Sequence, residues 1–407
     1  MLFYMNEFLT AVSFALDFIE MDLSGVTSNH GKRTAYISLK IAKELGLSFK
    51  ELHDIVALGM LHDIGAVERG LVKKLNTENE YSLKNAEDTV AHCSIGEKSI
   101  SMYPFLTDVT NVIKYHHERY DGTGYFNIKG EAIPKMSQII SMADEIELNF
   151  DLRTSDFQIR KKIHEFIKSK ENTHYSSKLV EAFMKVASHT SFWIDLKDNF
   201  IAVALQKVQP KYSVDISFEQ IRSITQVLSR IIDSKSQYTQ RHSKELSEKV
   251  DVMARFYDYS DEERFKLIIA ADLHDLGKLA VPNDILDSTG ALSEEEFSVI
   301  KEHTYYTRVA LEQITGFEDI AEWAANHHEK LNGLGYPFGK GHKQLDFNSR
   351  LMGCLDIYQA LTEERPYRKS LSHTEAMNIL KDMCKNGFID SNICKDIDIV
   401  FATNMCK

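Results

Sequence analysis

The sequence contains no run of about 18 or more apolar residues, the length that a membrane-crossing helix needs. Its first six residues carry no basic cluster, and the apolar stretch at 8–21 is interrupted by Asp17 and Glu20, so no signal peptide is expected. Cysteine pairing is also missing. Cys93, Cys354, Cys384, Cys394 and Cys406 are odd in number and include no C-x-x-C, so neither a disulfide framework nor a structural zinc site is expected, and a reducing cytosol is the natural setting. There is no basic excess either. Lysine and arginine total 48 against 60 acidic residues, a net charge of −12 that excludes a general nucleic-acid coat but leaves room for a local phosphate pocket. Glycine/serine linkers and low-complexity segments are absent, and alternating β-type runs are few.

What is present is a globular balance, 43% hydrophobic and 27% charged over 407 residues. That length suits two domains of roughly 200 residues rather than one core. The expected fold is all-α, in two helical domains packed together rather than strung on a linker.

The chain repeats itself. His30, His62-Asp63, His92, His116-His117 and Asp144 recur 211 or 212 residues later as His242, His274-Asp275, His303, His327-His328 and Asp356. LHDIG at 61–65 answers LHDLG at 273–277, and HHERYDGTGY at 116–125 answers HHEKLNGLGY at 327–336. Ten of the sixteen histidines belong to these two sets. Each copy opens on an amphipathic helix, with Leu9, Val12, Leu16 and Ile19 on one stripe and Ile221, Ile224, Leu228 and Ile231 on its counterpart. A helix at 177–187, with Leu179, Val180, Phe183 and Val186 inward, is expected to close the first copy. These marks divide the chain into a first domain at 1–190, a connector at 191–213 and a second domain at 214–407. Trp193-Ile194 and 200–203 in the connector suit a short packed segment or strand, with Pro210 as a break. Ser293 and Glu296 read as a capping box for a helix that carries His303 two turns in, after the turn residues Thr289-Gly290.

Imidazole and carboxylate together ligate divalent Fe, Mn, Zn or Ni. Five histidines and two aspartates per copy exceed the needs of one ion and suit two ions sharing a bridging carboxylate, which an adjacent His-Asp pair on a helix can supply. Two such ions, about 3.5–4 Å apart, hold a nucleophile and clamp the oxygens of a phosphodiester. Cys93 and Cys354 lie within two residues of these positions and are expected to be small buried apolar side chains.

These residues resemble the HD superfamily of metal-dependent phosphohydrolases, and within it the HD-GYP phosphodiesterases, over nearly the whole chain. In the second copy HDLGK at 274–278, VPNDIL at 281–286, HHEKLNGLGYP at 327–337 and ERPYR at 364–368 follow the family order. The resemblance implies a cytoplasmic second-messenger enzyme that hydrolyses a cyclic dinucleotide, cyclic di-GMP or 3′,3′-cyclic GMP-AMP, to linear or mononucleotide products. It implies that His242, His274, Asp275 and Asp356 hold one metal and Asp275, His303, His327 and His328 the other, with Fe, Mn or Ni as the ions. Lys278 would contact the scissile phosphate, Arg365 and Arg368 would grip phosphates, and Gly335, Tyr336 and Pro337 would line the cleft. A homodimer or signalling partner is compatible with this role; a large nucleic acid or a membrane is not expected.

The chain departs from the family at three points. Tyr238 stands where some members place a third-metal glutamate, so two metals are expected. Asn332 replaces the aspartate of the GYP loop. Gln359 replaces an aspartate three residues after Asp356; its neutral amide neither acts as a general acid nor orients a lysine by charge. The first copy keeps its metal set, His30, His62, Asp63, His92, His116, His117 and Asp144, with room for two more ions. Ala66 answers Lys278, Phe126 answers Pro337, Glu147 answers Gln359, and Arg153 alone answers the two arginines. Metal binding without efficient turnover, in a regulatory or dimer-forming role, is the expectation there. Two other readings fit the HD ligands: another HD-type enzyme, such as a nucleotide phosphohydrolase or di-iron oxygenase, and a cyclic-dinucleotide receptor or scaffold without turnover.

Overall fold

Helix starts are written into the sequence as reciprocal side-chain pairs. Ser48 and Glu51, Ser217 and Gln220, Ser260 and Glu263, Ser293 and Glu296, and Ser372 and Glu375 each form a capping box. The serine hydroxyl accepts the third backbone N–H, and the acid or amide returns to the serine N–H, a cap on the order of 1 kcal/mol. Ser48 and Ser260 are repeat partners. They launch Phe49–Leu61 and Asp261–Leu273, helices of 13 residues each, and so place His62 and His274 at equivalent C-terminal ends. The His-Asp pairs therefore lie at a helix end with each aspartate in the following turn, not inside a helix as expected.

The computed structural model describes residues 2–24, 28–66, 86–154, 156–235, 242–288, 290–364 and 369–402. Helix dominates them and strand is nearly absent, as the scarcity of alternating runs implied. The chain divides into two compact units, Leu2–Asp215 and Ile216–Lys407. In the first, the helix His30–Glu44 packs on Phe49–Leu61, on Lys135–Asn149 and on Ser177–Ala187. In the second, His242–Phe256 packs on Asp261–Leu273 and Phe347–Thr362. Each unit thus surrounds its His-Asp helix end with helices that carry the first and third histidines and the distal aspartate, and with the turn that carries the histidine pair.

The opening helices are Met5–Ser24 and Phe218–Ser234. Leu9 and Val12 are buried in the first, where the side chains of Leu16 and Ile19 lie outside the described residues. Ile221, Ile224, Leu228 and Ile231 are all buried in the second, each contributing about 1.5–3 kcal/mol over an exposed state.

The apolar segments of the stretch at 191–213 form two short packed helices, not a strand. Thr190–Asp195 and Asp198–Val208 lie against the first unit, where Tyr36 donates to Asp195 at 2.5 Å and Lys43 donates to the Val208 carbonyl at 2.8 Å. The strand character in this region is confined to Val214–Asp215, paired antiparallel with Leu2–Phe3 in the register Leu2 to Asp215 and Phe3 to Val214. No helix among the described residues is long and apolar enough to cross a membrane.

Candidate metal centre

In the second unit all seven predicted ligands converge. His242 Nε2 lies 3.0 Å from Asp356 Oδ1, and His274 Nε2 lies 3.9 Å from the same oxygen. Asp275 divides its two oxygens. Oδ2 lies 3.2 Å from His274 Nε2, while Oδ1 lies 3.4 Å from His303 Nε2 and 3.8 Å from His327 Nε2. His328 Nδ1 stands 3.9 Å from Asp356 Oδ2. A carboxylate that faces one group of imidazoles with each oxygen has the disposition a bridging ligand needs.

Backbone carbonyls aim the rings. His274, His303 and His327 each donate Nδ1–H to the carbonyl three residues earlier, at 2.8, 2.5 and 2.6 Å, which fixes the tautomer and turns Nε2 inward. Gly277 lets the turn after Asp275 press against the His303 helix: a Cβ there would fall 2.0 Å from the His303 carbonyl oxygen. Its N–H donates to Thr307, whose hydroxyl donates to the His274 carbonyl.

The first unit repeats the arrangement. Asp144 Oδ1 is 3.4 Å from both His30 Nε2 and His62 Nε2. Asp63 Oδ2 is 3.6 Å from His62 Nε2, and its Oδ1 is 3.6 Å from His92 Nε2 and 3.8 Å from His116 Nε2. His117 joins His92, His116 and Cys93 in one cluster whose donor atoms lie within 4.8 Å of one another. A Cβ on Gly65 would fall 2.1 Å from the His92 carbonyl, repeating the close approach at Gly277.

The protonation pattern is that of ligand sets. Burial pushes His303 down to about 3 and His92 and His328 down to about 4, so these rings are neutral near pH 7. Burial opposes charge on the aspartates too, but the histidines around them hold Asp275, Asp356 and Asp144 well below the usual carboxylate range. His242 differs from His303, His327 and His328. Asp356 and Glu363 outweigh its burial and lift it to about 10, so a cation binding there displaces a proton. Asp275 Oδ1, His274 Nε2, Asp63 Oδ1, His116 Nε2 and Asp144 Oδ1 are buried with no hydrogen-bond partner among the described residues. Buried polar atoms are ordinarily satisfied, so inward-turned donor atoms in two matched sets fit divalent cations.

Around the second site, Lys278 follows Asp275 by three residues in the tight turn Leu276–Ala280, and its Nζ reaches Asp275 Oδ2 at 2.6 Å. A 3₁₀ turn eclipses residues three apart, which explains this placement. Tyr336 sets its ring 4.9 Å from that of His328. Gly335 is needed because a Cβ would meet Glu329 Cα and Lys330 N at 2.4 Å. The peptide before Pro337 is cis. Arg365, Arg368, Tyr238 and Thr289 lie outside the described residues. In the first unit Ala66 is buried, Phe126 packs on Tyr115, and Arg153 is engaged at the surface by Asp151 at 2.8 Å.

Two pairs of acids escaped the sequence reading. Glu363 accepts from His242 Nδ1 at 2.8 Å, and Glu147 takes the same place behind His30 at 3.2 Å. Glu329 accepts the backbone N–H groups of Phe338 and Lys340 at 2.7 and 2.9 Å, and Glu118 those of Phe126 and Ile128 at 2.7 and 2.6 Å. The HHE triplet common to both copies was a visible signal for the second pair. Two of the three departures, Asn332 and Gln359, have structural roles. Asn332 Oδ1 accepts the Leu334 N–H, as Asp121 accepts that of Thr123. Gln359 donates to Glu245 and Glu363 at 2.9 and 3.0 Å, and its carbonyl does hold a lysine, Lys249.

The model of one family, described as the HD domain, matches this chain twice, over residues 17–168 and 226–393. The chain belongs to the HD domain family. Both HD domains include their full His/Asp set within the matched residues. Among relatives, a "3′3′-cGAMP-specific phosphodiesterase 1" of Vibrio cholerae is 30% identical over 386 residues, 92% of this chain and 87% of that protein. A cyclic di-GMP phosphodiesterase of Pseudomonas aeruginosa is 30% identical over 183 residues, 44% of this chain and 43% of its own. The crystal structure of a cyclic GMP-AMP-specific phosphodiesterase from V. cholerae superposes with a TM-score of 0.70 at 25% identity, over 99% of this chain and 98% of that one. The fold match therefore runs over nearly the whole length of both chains.

Proposed function

We propose that the protein is a cyclic-dinucleotide phosphodiesterase, that its chemistry resides in the second HD domain, and that its preferred substrate is a 3′,3′-cyclic GMP-AMP. The observation that carries the reading is the coincidence, in one buried site, of two carboxylates, five imidazoles, the Lys278 ammonium and the Tyr336 ring. The mixed-base preference is supported by the relatives: two that span more than nine-tenths of the chain are named for cGAMP, and a cyclic di-GMP enzyme aligns with 44%.

His242, His274, Asp275 and Asp356 would hold one divalent transition metal, and Asp275, His303, His327 and His328 a second. When bound, such a pair supplies the positive charge that acidifies a water and neutralises the phosphodiester oxygens. The protein's own groups do the rest. Glu363 and the helix carbonyls keep the imidazoles aimed, and Asp275 stays ionised between the two imidazole groups. Lys278, half-buried at the site's edge, offers an ammonium to the phosphate charge that develops as the P–O bond breaks. Tyr336 gives a flat apolar face beside His328 on which a base can lie. Hydrolysis adds water across one P–O3′ bond, leaving a phosphate ester on one nucleotide and a hydroxyl on the other.

The first HD domain would bind metal without turnover, since Ala66 stands in place of the lysine and Arg153 is tied to Asp151. The test is product formation from a panel of cyclic dinucleotides by the anaerobically metal-loaded full chain and two variants. Asp275→Ala is expected to abolish hydrolysis, and Asp63→Ala to retain most of it. The reverse order rejects the assignment of the chemistry, and tight binding without turnover by the wild type favours the receptor reading instead.

A further inference from the structure

The two sites differ at one position that the repeat brings into register. The residue after the helix histidine is Thr304 in the second domain and Cys93 in the first. Thr304 spends its hydroxyl on its own helix, donating to the Lys301 carbonyl at 3.0 Å. Cys93 points elsewhere. It is fully buried, and its Sγ lies 3.6 Å from His92 Nε2 and 4.0 Å from His116 Nδ1, which donates to the Ile113 carbonyl at 2.6 Å and leaves Nε2 as the ligand atom of that ring. Metal–sulfur and metal–nitrogen bonds of about 2.3 and 2.1 Å at a tetrahedral angle set sulfur and nitrogen about 3.6 Å apart. The His92–Cys93 separation already matches that edge.

We propose that Cys93 is a metal ligand and that, with His92, His116 and His117, it makes one cation position of the first HD domain a closed three-nitrogen, one-sulfur zinc site. This rests on the reading that the first domain binds metal. The thiol loses its proton to solvent as the sulfur–metal bond forms. Asp63 then serves the cation held by His30, His62 and Asp144 through Oδ2, while its Oδ1, 3.6 Å from His92 Nε2, borders the zinc without being one of its four ligands. Thiolate is a soft ligand that selects zinc over manganese, whereas the second domain offers only nitrogen and oxygen. Four protein ligands also fill a tetrahedral ion, so no position remains for water or a phosphate oxygen. The first domain would thus be unsuited to hydrolysis through its donor set, independently of its missing lysine.

The experiment uses the full chain carrying His274→Ala, which weakens the second site, reconstituted with cobalt(II). Binding at the first domain should show the near-ultraviolet thiolate-to-cobalt charge-transfer band. Cys93→Thr, which installs the residue that the second domain tolerates, should remove that band and weaken zinc binding at least about 10²-fold, beyond the usual loss of a supporting partner. On the unmutated chain, zinc should protect Cys93 from alkylation, a readout that needs no substitution to fold. Cobalt bound without the band, or a band that survives Cys93→Thr and disappears with Cys354→Ser, overturns the ligand assignment while leaving the metal reading in place. No cobalt bound at the first domain overturns both.

Discussion

Gly277→Ala tests how the second site is held. A Cβ on Gly277 would fall 2.0 Å from the His303 carbonyl oxygen, 2.8 Å from its carbonyl carbon and 2.9 Å from its Cα. Comfortable contacts are roughly 3.5–4.0 Å, and backbone atoms have no rotamer by which to escape. Either the turn Leu276–Ala280 or the helix Glu294–Leu311 must retreat by about 1 Å or more. Metal–ligand distances tolerate only about 0.2 Å. Asp275 and His303 cannot then serve the same ion, and the hydrogen-bond chain from Gly277 through Thr307 to the His274 carbonyl is broken as well.

Turnover should fall at least about 10²-fold, the scale of a 1 Å misplacement. Metal content should drop by about one ion per chain. Overpacking should cost about 1–3 kcal/mol, or roughly 2–10 °C in the melting of that domain. The assays are hydrolysis rate, metal content by mass spectrometry and calorimetry on the same preparations. Gly290→Ala is the control, because nothing lies within 4 Å of its added Cβ. Gly65→Ala, at 2.1 Å from the His92 carbonyl, should strip metal from the first domain and spare hydrolysis. A Gly277→Ala protein with unaltered rate and metal content would refute the close-approach argument.

Lys278→Ala should cut turnover by about 10²-fold or more with metal content unchanged, since the side chain meets the phosphate charge rather than a metal; an active variant means the phosphate binds elsewhere. Glu363→Gln removes the charge behind His242 and should weaken metal binding by about 10–100-fold, measured by chelator competition; unaltered affinity would mean that Glu363 does not position the ring. Glu322 is set between Lys340 and Arg308, which outweigh its burial and hold it at about 2. A carboxyl depressed from about 4.3 stabilises the fold above that value and loses the contribution as pH falls toward 2. The melting difference between wild type and Glu322→Gln should therefore be full at pH 6 and shrink to nothing in acid. A difference independent of pH rejects the ion-pair account.

The repeat carried most of what was legible. Ligand positions need both a residue type and a place in the fold, so His30 to Asp144 and His242 to Asp356 stood out once the offset was noticed, and Ser293 with Glu296 marked one helix start. The acids behind the first histidines did not stand out, because Glu147 follows Asp144 by three residues and Glu363 follows Asp356 by seven. A comparison at constant offset cannot pair them. The helix at 198–208 was obscured by its apolar run at 200–203, which reads as strand over four residues. The buried residues are Ile201, Ala204 and Leu205, the spacing of a helix face. The inward aim of Cys93 depends on which side of its helix meets His116, and no single-chain pattern states that.

The loop after His328 is fastened through its main chain. Glu329 grips the N–H groups of Phe338 and Lys340, and Asn332 turns the chain at Leu334, so the path of the loop asks little of the side chains it displays. Leu334 is 74% exposed and Phe338 43% exposed. Glu118 and Asp121 fasten the first domain's loop at the same points, under a different set of residues: Thr123, Tyr125 and Phe126. Shape is inherited through two acceptors, and the displayed surface is left open to selection. A lineage can retune what this loop touches, one residue at a time, without having to rediscover how to fold it.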